Sequence, residues 1–278
     1  MIINLWYLTV FLAILAGFGY WLSRYVWRHK RRLRLLSLPF PDEWQDILEK
    51  SLPIYRFLPD SLRQQLHGHI NVFLHEKLFE GCGGLQLTDE IRVIIAAQAC
   101  LLLLNRPTKY YPRLLSIVVY PGDYVVKEVE RDGLVENEVN SGESWQYGTI
   151  VLSWEAVRRQ ASDLKQRSNV VLHEFAHQLD QEDGLSDGLP ILEQSSHYST
   201  WARVLSKEYE QLGKDASKGR KTVLDHYGAV NPAEFFAVIT EAFFEMPRQL
   251  QTNHPELYEE LKYFYKVDPA EWDQQVSS

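Results

Sequence analysis

The sequence predicts a predominantly helical α+β domain carried behind one N-terminal membrane-spanning helix, and three observations predict it. Ile2 to Leu22 contains no charged side chain, and about 20 apolar residues span a bilayer core. Stretches of helical period recur through the rest of the chain, and two short runs read as strands by their β-branched content. The roughly 240 residues after the N-terminal segment show no internal repeat, a length within the range of one domain.

The N-terminal segment comes first. Arg24, Arg28, Lys30, Arg31, Arg32 and Arg34 follow the uncharged run, and nothing basic precedes it. A cleavable signal peptide has the opposite polarity. The positive-inside rule therefore keeps the basic cluster in the cytoplasm, with the N-terminus outside and residues 35–278 inside. Trp6, Tyr7, Tyr20, Trp21 and Trp27 fall near the ends of the span, as interfacial anchors do. Residues 1–36 read as transmembrane helix and basic juxtamembrane segment, and 37–278 as the folded domain. A buried core helix would instead need a core that tolerates aromatics all round beside six charges.

Charge agrees with that division. The chain has 29 Lys and Arg against 37 Asp and Glu; six of the basic residues lie in 1–36, so the remainder carries 23 against 37, a net of −14. Such a domain does not favour nucleic-acid backbones, and no nucleic-acid partner is expected. The basic collar suits anionic lipid headgroups, at about 1 kcal/mol per residue near the surface. Cys82 and Cys100 form no disulfide framework and lack metal-motif spacing, which fits a reducing compartment.

Along the domain, helices are expected at 42–51, 60–80, 88–104, 155–181, 198–213, 232–245 and 255–264, with strands at Ser116–Tyr120 and Thr149–Trp154. The 155–181 stretch carries His173-Glu174-Phe175-Ala176-His177, the HExxH arrangement of zinc hydrolases. Positions 173 and 177 share a helix face, so two imidazoles can reach one cation at about 2.0–2.1 Å. Glu174 falls beside that cation and can take a proton from water polarised there. Val171, Phe175 and Leu179 form an apolar stripe under the motif, in a helix expected to start near Ser168 and stop before Gly184.

A catalytic zinc takes three protein ligands and keeps one open position. The third ligand has three candidates. Asp183 lies six residues after His177, but that pattern also wants a Gly at 180, where this chain has Asp180, and a Met-turn that Met1 and Met246 hardly supply. The helix Asn231–Phe244 offers Glu234 and Glu241, two turns apart on one face. With Asn231 as N-cap and Pro232 at the first helical position, Glu234 also suits a capping box. Glu241 equally suits a carboxylate outside the ligand set, so spacing leaves the two about equal.

Four ordered runs carry a resemblance. They are Leu87–Leu103, Ser141–Trp145, His173–Asp180 and Tyr227–Phe236. From about Pro41 to Trp272 the chain resembles the Mlc titration factor A family of bacterial zinc peptidases, and the Tyr-x6-Glu-Phe-Phe segment is also similar to the catalytic domain of anthrax lethal factor. The resemblance implies a zincin-like, gluzincin-type peptidase with His173, His177 and Glu234 as Zn²⁺ ligands, Glu174 as base and Tyr227 near the scissile carbonyl. It tips the choice of carboxylate to Glu234. It further implies aminopeptidase-like activity on peptide or protein substrates and binding of a glucose-responsive transcriptional repressor; the N-terminal span, an addition to the soluble members of that family, is what places the domain on the cytoplasmic side of the bacterial inner membrane.

Chemistry supports part of this independently. A phenol of ordinary pKa near 10 at Tyr227 can donate to a developing oxyanion; His226 is an alternative donor whose adjacency points it elsewhere. Asp180 shares the face of both histidines, where a carboxylate can hold a ligand's second ring nitrogen or shape the site. Likeness to zincin-like peptidases further implies that the strand Thr149–Trp154, shortly before the zinc helix, is an edge that accepts substrate backbone, flanked by Ser141 to Trp145. Asp183–Gly188 lacks the ligand run of an EF-hand and reads as a turn. A different class of function, a regulatory protein-binding module with a structural or weakly active zinc site, has no use for Glu174 beside an open coordination position.

Overall fold

The computed structural model describes residues 2–122, 124–131, 134–140, 142–145, 148–162 and 168–272. Helix α1 runs unbroken from Ile2 to Leu36. Over Trp6–Leu36 it is long and apolar enough to cross a membrane by length and composition. Residues 6–30 are exposed, and only 31, 32 and 35 are half-buried, where the helix meets the domain.

The domain opens with α2 (Asp42–Ser51), α3 (Pro53–Phe57) and α4 (Asp60–Glu76). Strand β1 (Leu78–Gly81) follows where a continued helix to residue 80 is expected, because Leu78-Phe79-Glu80-Gly81 pairs in parallel with β2 (Ser116–Tyr120). Short apolar runs of this kind do not declare helix or strand by period, and long-range pairing decides. Between them α5 (Asp89–Leu101), capped by Thr88, is buried at every position from Val93 onward. Strands β3 (Tyr124–Arg131) and β4 (Leu134–Asn140) form an antiparallel ribbon of their own.

Strand β5 (Gly142–Trp145) and β6 (Thr149–Ser153) complete the main sheet in the order β1-β2-β6-β5, with β5 antiparallel to β6 and the other pairs parallel. The edges are therefore β1 and β5. Thr149–Trp154, read from sequence as the edge, is an interior strand with a neighbour on each side that stops at Ser153, Trp154 opening the next helix, and Ser141 lies outside the described residues.

Helix α6 (Trp154–Ser162) ends before α7 (Val170–Asp180), so the expected single helix 155–181 is two, with 163–167 outside the described residues. The Asn169 side chain accepts from Val171 N and Leu172 N, an N-cap that starts a new helix. Then come α8 (Tyr198–Ser217), α9 (Pro232–Glu245), α10 (Pro247–Asn253), α11 (Pro255–Tyr265) and α12 (Pro269–Trp272). Helix α7 packs between α5, α9 and the sheet. Phe175 packs at an angle against Phe73 and edge-on against Tyr111, with ring centroids 5.6 and 4.9 Å away.

Where α1 meets α4, Arg32 Nε and Nη2 each lie 2.8 Å from the Glu76 carboxylate and Arg28 Nη2 lies 3.1 Å from it. Burial alone would raise the Glu76 pKa; the hydrogen bonds from Arg32 and Arg28 outweigh it and hold it at about 2. A folded value below the ordinary 4.5 means stability that is present above the carboxylate range and lost as pH falls through it toward 2. Wild type should therefore be more stable than Glu76→Gln near neutral pH. Thermal unfolding of the full chain in detergent should show that gap closing on acidification; a gap that does not change with pH would exclude the ion pair as its source.

Candidate metal centre

Three side chains from two helices converge. Helix α7 carries His173 and His177 one turn apart, their rings 4.8 Å between centroids and nearly perpendicular. Helix α9 presents Glu234 from its first turn. Asn231 caps that turn by accepting from Glu234 N at 2.9 Å, so the cap uses the Glu234 backbone, while Glu234 Oε2 lies 3.0 Å from His173 Nε2 and 3.5 Å from His177 Nε2. The two Nε2 atoms are 3.2 Å apart.

Edges of 3.0, 3.2 and 3.5 Å are nearly one face of a small tetrahedron. Ligands about 2.0–2.1 Å from a tetrahedral cation stand about 3.3–3.4 Å from each other. The donor set His, His, Glu thus fits a borderline divalent cation, with a fourth corner to spare. Among the described residues this is the cluster of His, Cys, Asp or Glu groups close enough to hold a metal.

The second nitrogen of His173 is tied down. Its Nδ1 faces Glu241 Oε1 at 2.7 Å, which makes Nδ1 a donor and aims Nε2 at the cluster. Glu241 Oε2 also accepts from the backbone N–H of Asn169. Asn169 Nδ2 in turn donates to Gln98 Oε1 and Glu245 Oε1, each at 2.7 Å. Glu241 therefore supports a histidine and does not join the cluster. Asn169, Gln98 and Glu245 escape a sequence reading; the one available signal was Asn immediately before an apolar periodic run.

Of the two roles its helix face allows, Asp180 does not hold a ligand ring but shapes the neighbouring loop. Its Oδ2 accepts from Gly188 N at 3.0 Å, and Oδ1 has no partner among the described residues. Burial raises its pKa to about 6. The bond draws the loop after α7 onto the start of α9. Gly188 sits at φ +76°, where an added Cβ would stand 2.3 Å from the Pro232 carbonyl oxygen. Gly188→Ala should cost about 1–2 kcal/mol from the left-handed conformation alone and weaken metal binding by displacing Pro232, two residues before Glu234. Thermal unfolding and a metal titration check this; unchanged affinity would uncouple the loop from the site.

Electrostatics suit a cation. Burial would lower the His173 pKa, but Glu234 and Glu241 outweigh it and raise it well above the ordinary value, so the ring and its carboxylates call for positive charge. Burial would raise Glu234, yet His173 and His177 bring it down to about 2, which keeps it ionised. Glu174 is 5% exposed, and burial pushes its pKa up to about 7. Its Oε2 has no partner among the described residues. A carboxylate of that pKa can take and release a proton near neutral pH.

The remaining sequence candidates separate cleanly. Tyr227 lies on a single helical turn, His226–Ala229, with its ring 6.0 Å from that of His173 and its side 54% exposed, so it borders the cluster from the solvent side. His226 Nε2 bonds the Arg220 carbonyl at 2.8 Å and is directed elsewhere. Asp183 Oδ1 accepts from Leu185 N at 2.9 Å in a turn and is absent from the cluster.

The chain is similar to known proteins over most of its length. The profile of a family described as glucose-regulated metallo-peptidase M90 matches residues 25–266, a span holding every residue named at the site. The chain is 42% identical over 270 residues to an uncharacterized protein of Synechocystis sp., covering 94% of this chain and 96% of that one. It is 34% identical over 239 residues to Mlc titration factor A of Pectobacterium atrosepticum, covering 82% and 87%. It is 30% identical over 260 residues to Mlc titration factor A of Escherichia coli, covering 89% and 93%.

Proposed function

The chain belongs to the glucose-regulated metallo-peptidase M90 family, with the Mlc titration factor A proteins among its relatives, and on that premise we propose that it is a membrane-anchored zinc aminopeptidase. Membership makes it a metallopeptidase with a metal cofactor and peptide or protein substrates. The observation that carries the finer reading is the His173, His177, Glu234 triangle beside the buried Glu174.

In this proposal His173, His177 and Glu234 would hold Zn²⁺, which would supply Lewis acidity for peptide hydrolysis when bound. Glu174 takes the water's proton and delivers it to the leaving amine. Tyr227 donates its phenolic O–H to the oxyanion. Glu241 keeps the His173 ring turned so that Nε2 faces inward. The outer edge of β5, at the end of the sheet and against α7, suits an extended substrate that adds as a strand. Metal analysis of the purified full chain should return one zinc per folded chain, lost on chelation together with activity; folded, active protein without zinc would refute the proposal.

The membrane part rests on α1. The match to the Synechocystis protein leaves out 6% of this chain, fewer residues than Ile2 to Leu22 contains, so that relative aligns with part of the apolar run. We place residues 1–36 as a single-pass anchor in the bacterial inner membrane, with 37–278 as the peptidase domain in the cytoplasm. A reporter that is active only in the cytoplasm should work when fused after Ser278, and a periplasmic C-terminus would overturn this topology.

The titration-factor name of the relatives favours a second reading, a regulatory module that binds a transcriptional repressor through a domain whose zinc is structural or weakly active. Glu174→Gln separates the two, since repressor binding without any peptidase activity in wild type or variant would favour the module.

A further inference from the structure

Helix α1 does not end in a free tether. It runs antiparallel along α4, with the Leu36 carbonyl 3.0 Å from the place of a Cβ on Gly68, Asn71 Nδ2 donating to the Leu35 and Leu38 carbonyls, and Arg28 and Arg32 on Glu76. The Arg32 guanidinium also lies 4.7 Å from the Tyr110 ring centroid and donates to the Lys109 carbonyl at 2.8 Å. Pairing 36 with 68 and 28 with 76 points the C-terminal end of α4 back along α1, toward the uncharged run.

Depth follows from helix geometry. Leu22 closes that run, and Arg28 is six residues on, about 9 Å at 1.5 Å per residue. A headgroup layer is about 5–7 Å thick on each side of the hydrocarbon core. The end of α4 therefore stands at the outer face of the headgroups. Around it the domain shows an unusual rim for an acidic body. Leu78 N bonds the Leu115 carbonyl at 3.1 Å, and these two leucines are 66% and 65% exposed. Lys109 and Arg113 are exposed nearby. A cleft of about 780 Å³ opens between α1 and the end of α4, lined by Trp21, Arg24, Arg28, Arg31 and His75 among others.

We propose that this rim, Leu78 and Leu115 flanked by Lys109, Arg113 and Arg31, seats the domain on the anionic headgroup layer of the membrane that α1 enters. The leucines enter the interface and the basic groups meet lipid phosphates. The acidic remainder, 23 basic against 37 acidic residues over 37–278, is repelled by the same surface, so the contact fixes one orientation. This rests on the membrane reading of α1.

The test uses the full chain with Cys82→Ser, labelled with a polarity-sensitive dye at one introduced cysteine, Leu78→Cys, Leu115→Cys, Phe11→Cys or the exposed Lys214→Cys on α8. It is reconstituted in vesicles of phosphatidylcholine alone or of equal parts phosphatidylcholine and phosphatidylglycerol. At 78 and 115 the anionic vesicles should give a blue-shifted emission and loss of most quenching by aqueous iodide, with little change at 214. A dye at 11 that is shielded while 78 and 115 match 214 would overturn the proposal, as would equal shielding in uncharged vesicles. A dye at 11 that stays aqueous would instead remove the membrane reading itself.

Discussion

Glu174→Gln is expected to keep its zinc and lose hydrolysis by a factor of about 10²–10⁴, the usual contribution of a positioned general base. The substitution preserves shape at a position that is 5% exposed, so folding should survive. It removes the one group at the cluster whose pKa stands at about 7, raised by burial, and leaves an amide that cannot accept the proton. None of the cluster's edges involves Glu174, so metal content should stay at one per chain. Steady-state kinetics with metal analysis on the same sample check both halves. Wild-type turnover in the variant would remove Glu174 from the chemistry, and loss of metal would make it a ligand.

Glu234→Ala is expected to lower metal content and activity together. The cap at the start of α9 is made by Asn231 to the backbone of residue 234, so it remains in the alanine variant. The loss is then one ligand of three. Glu241→Ala should behave differently, because Glu241 acts through His173 Nδ1 and the Asn169 N–H. Removal of a group that orients a ligand typically costs 10–100-fold in metal affinity. Stability should fall too, since Asn169 begins α7. Asp183→Ala should leave zinc in place. Zinc per folded chain after gel filtration ranks the three; full occupancy in Glu234→Ala with loss in Asp183→Ala or Glu241→Ala would show that another carboxylate is the ligand.

How much was legible before the fold depended on whether the signal was local. The helix carrying His173 and His177 announced itself, because ligand spacing and the apolar stripe through Val171, Phe175 and Leu179 share one period. So did α9, bracketed by Asn231-Pro232 and Pro247. The choice between Glu234 and Glu241 was not local. Both lie on one face, and what separates them is that Glu234 reaches Nε2 of both histidines whereas Glu241 reaches Nδ1 of one. Strand β1 and the edge position of β5 were hidden for a related reason. Four-residue strands carry almost no period, and which strand is outermost is set by pairing across 30 or more residues. Asp180 could be read either as holding a ligand ring or as shaping the site, because a shared face does not say what faces it from the next loop, and that neighbour is Gly188.

The central claim is that the cluster hydrolyses peptide bonds through a metal and Glu174. Its most direct test is a peptide-library cleavage profile of the full chain in detergent, run for wild type and Glu174→Gln, each as purified, after chelation and after zinc is restored. The account predicts removal of N-terminal residues by wild type that vanishes with the chelator and returns with zinc, and none by the variant at equal zinc content. Cleavage that persists without metal, or the same profile in both proteins at full occupancy, would contradict it.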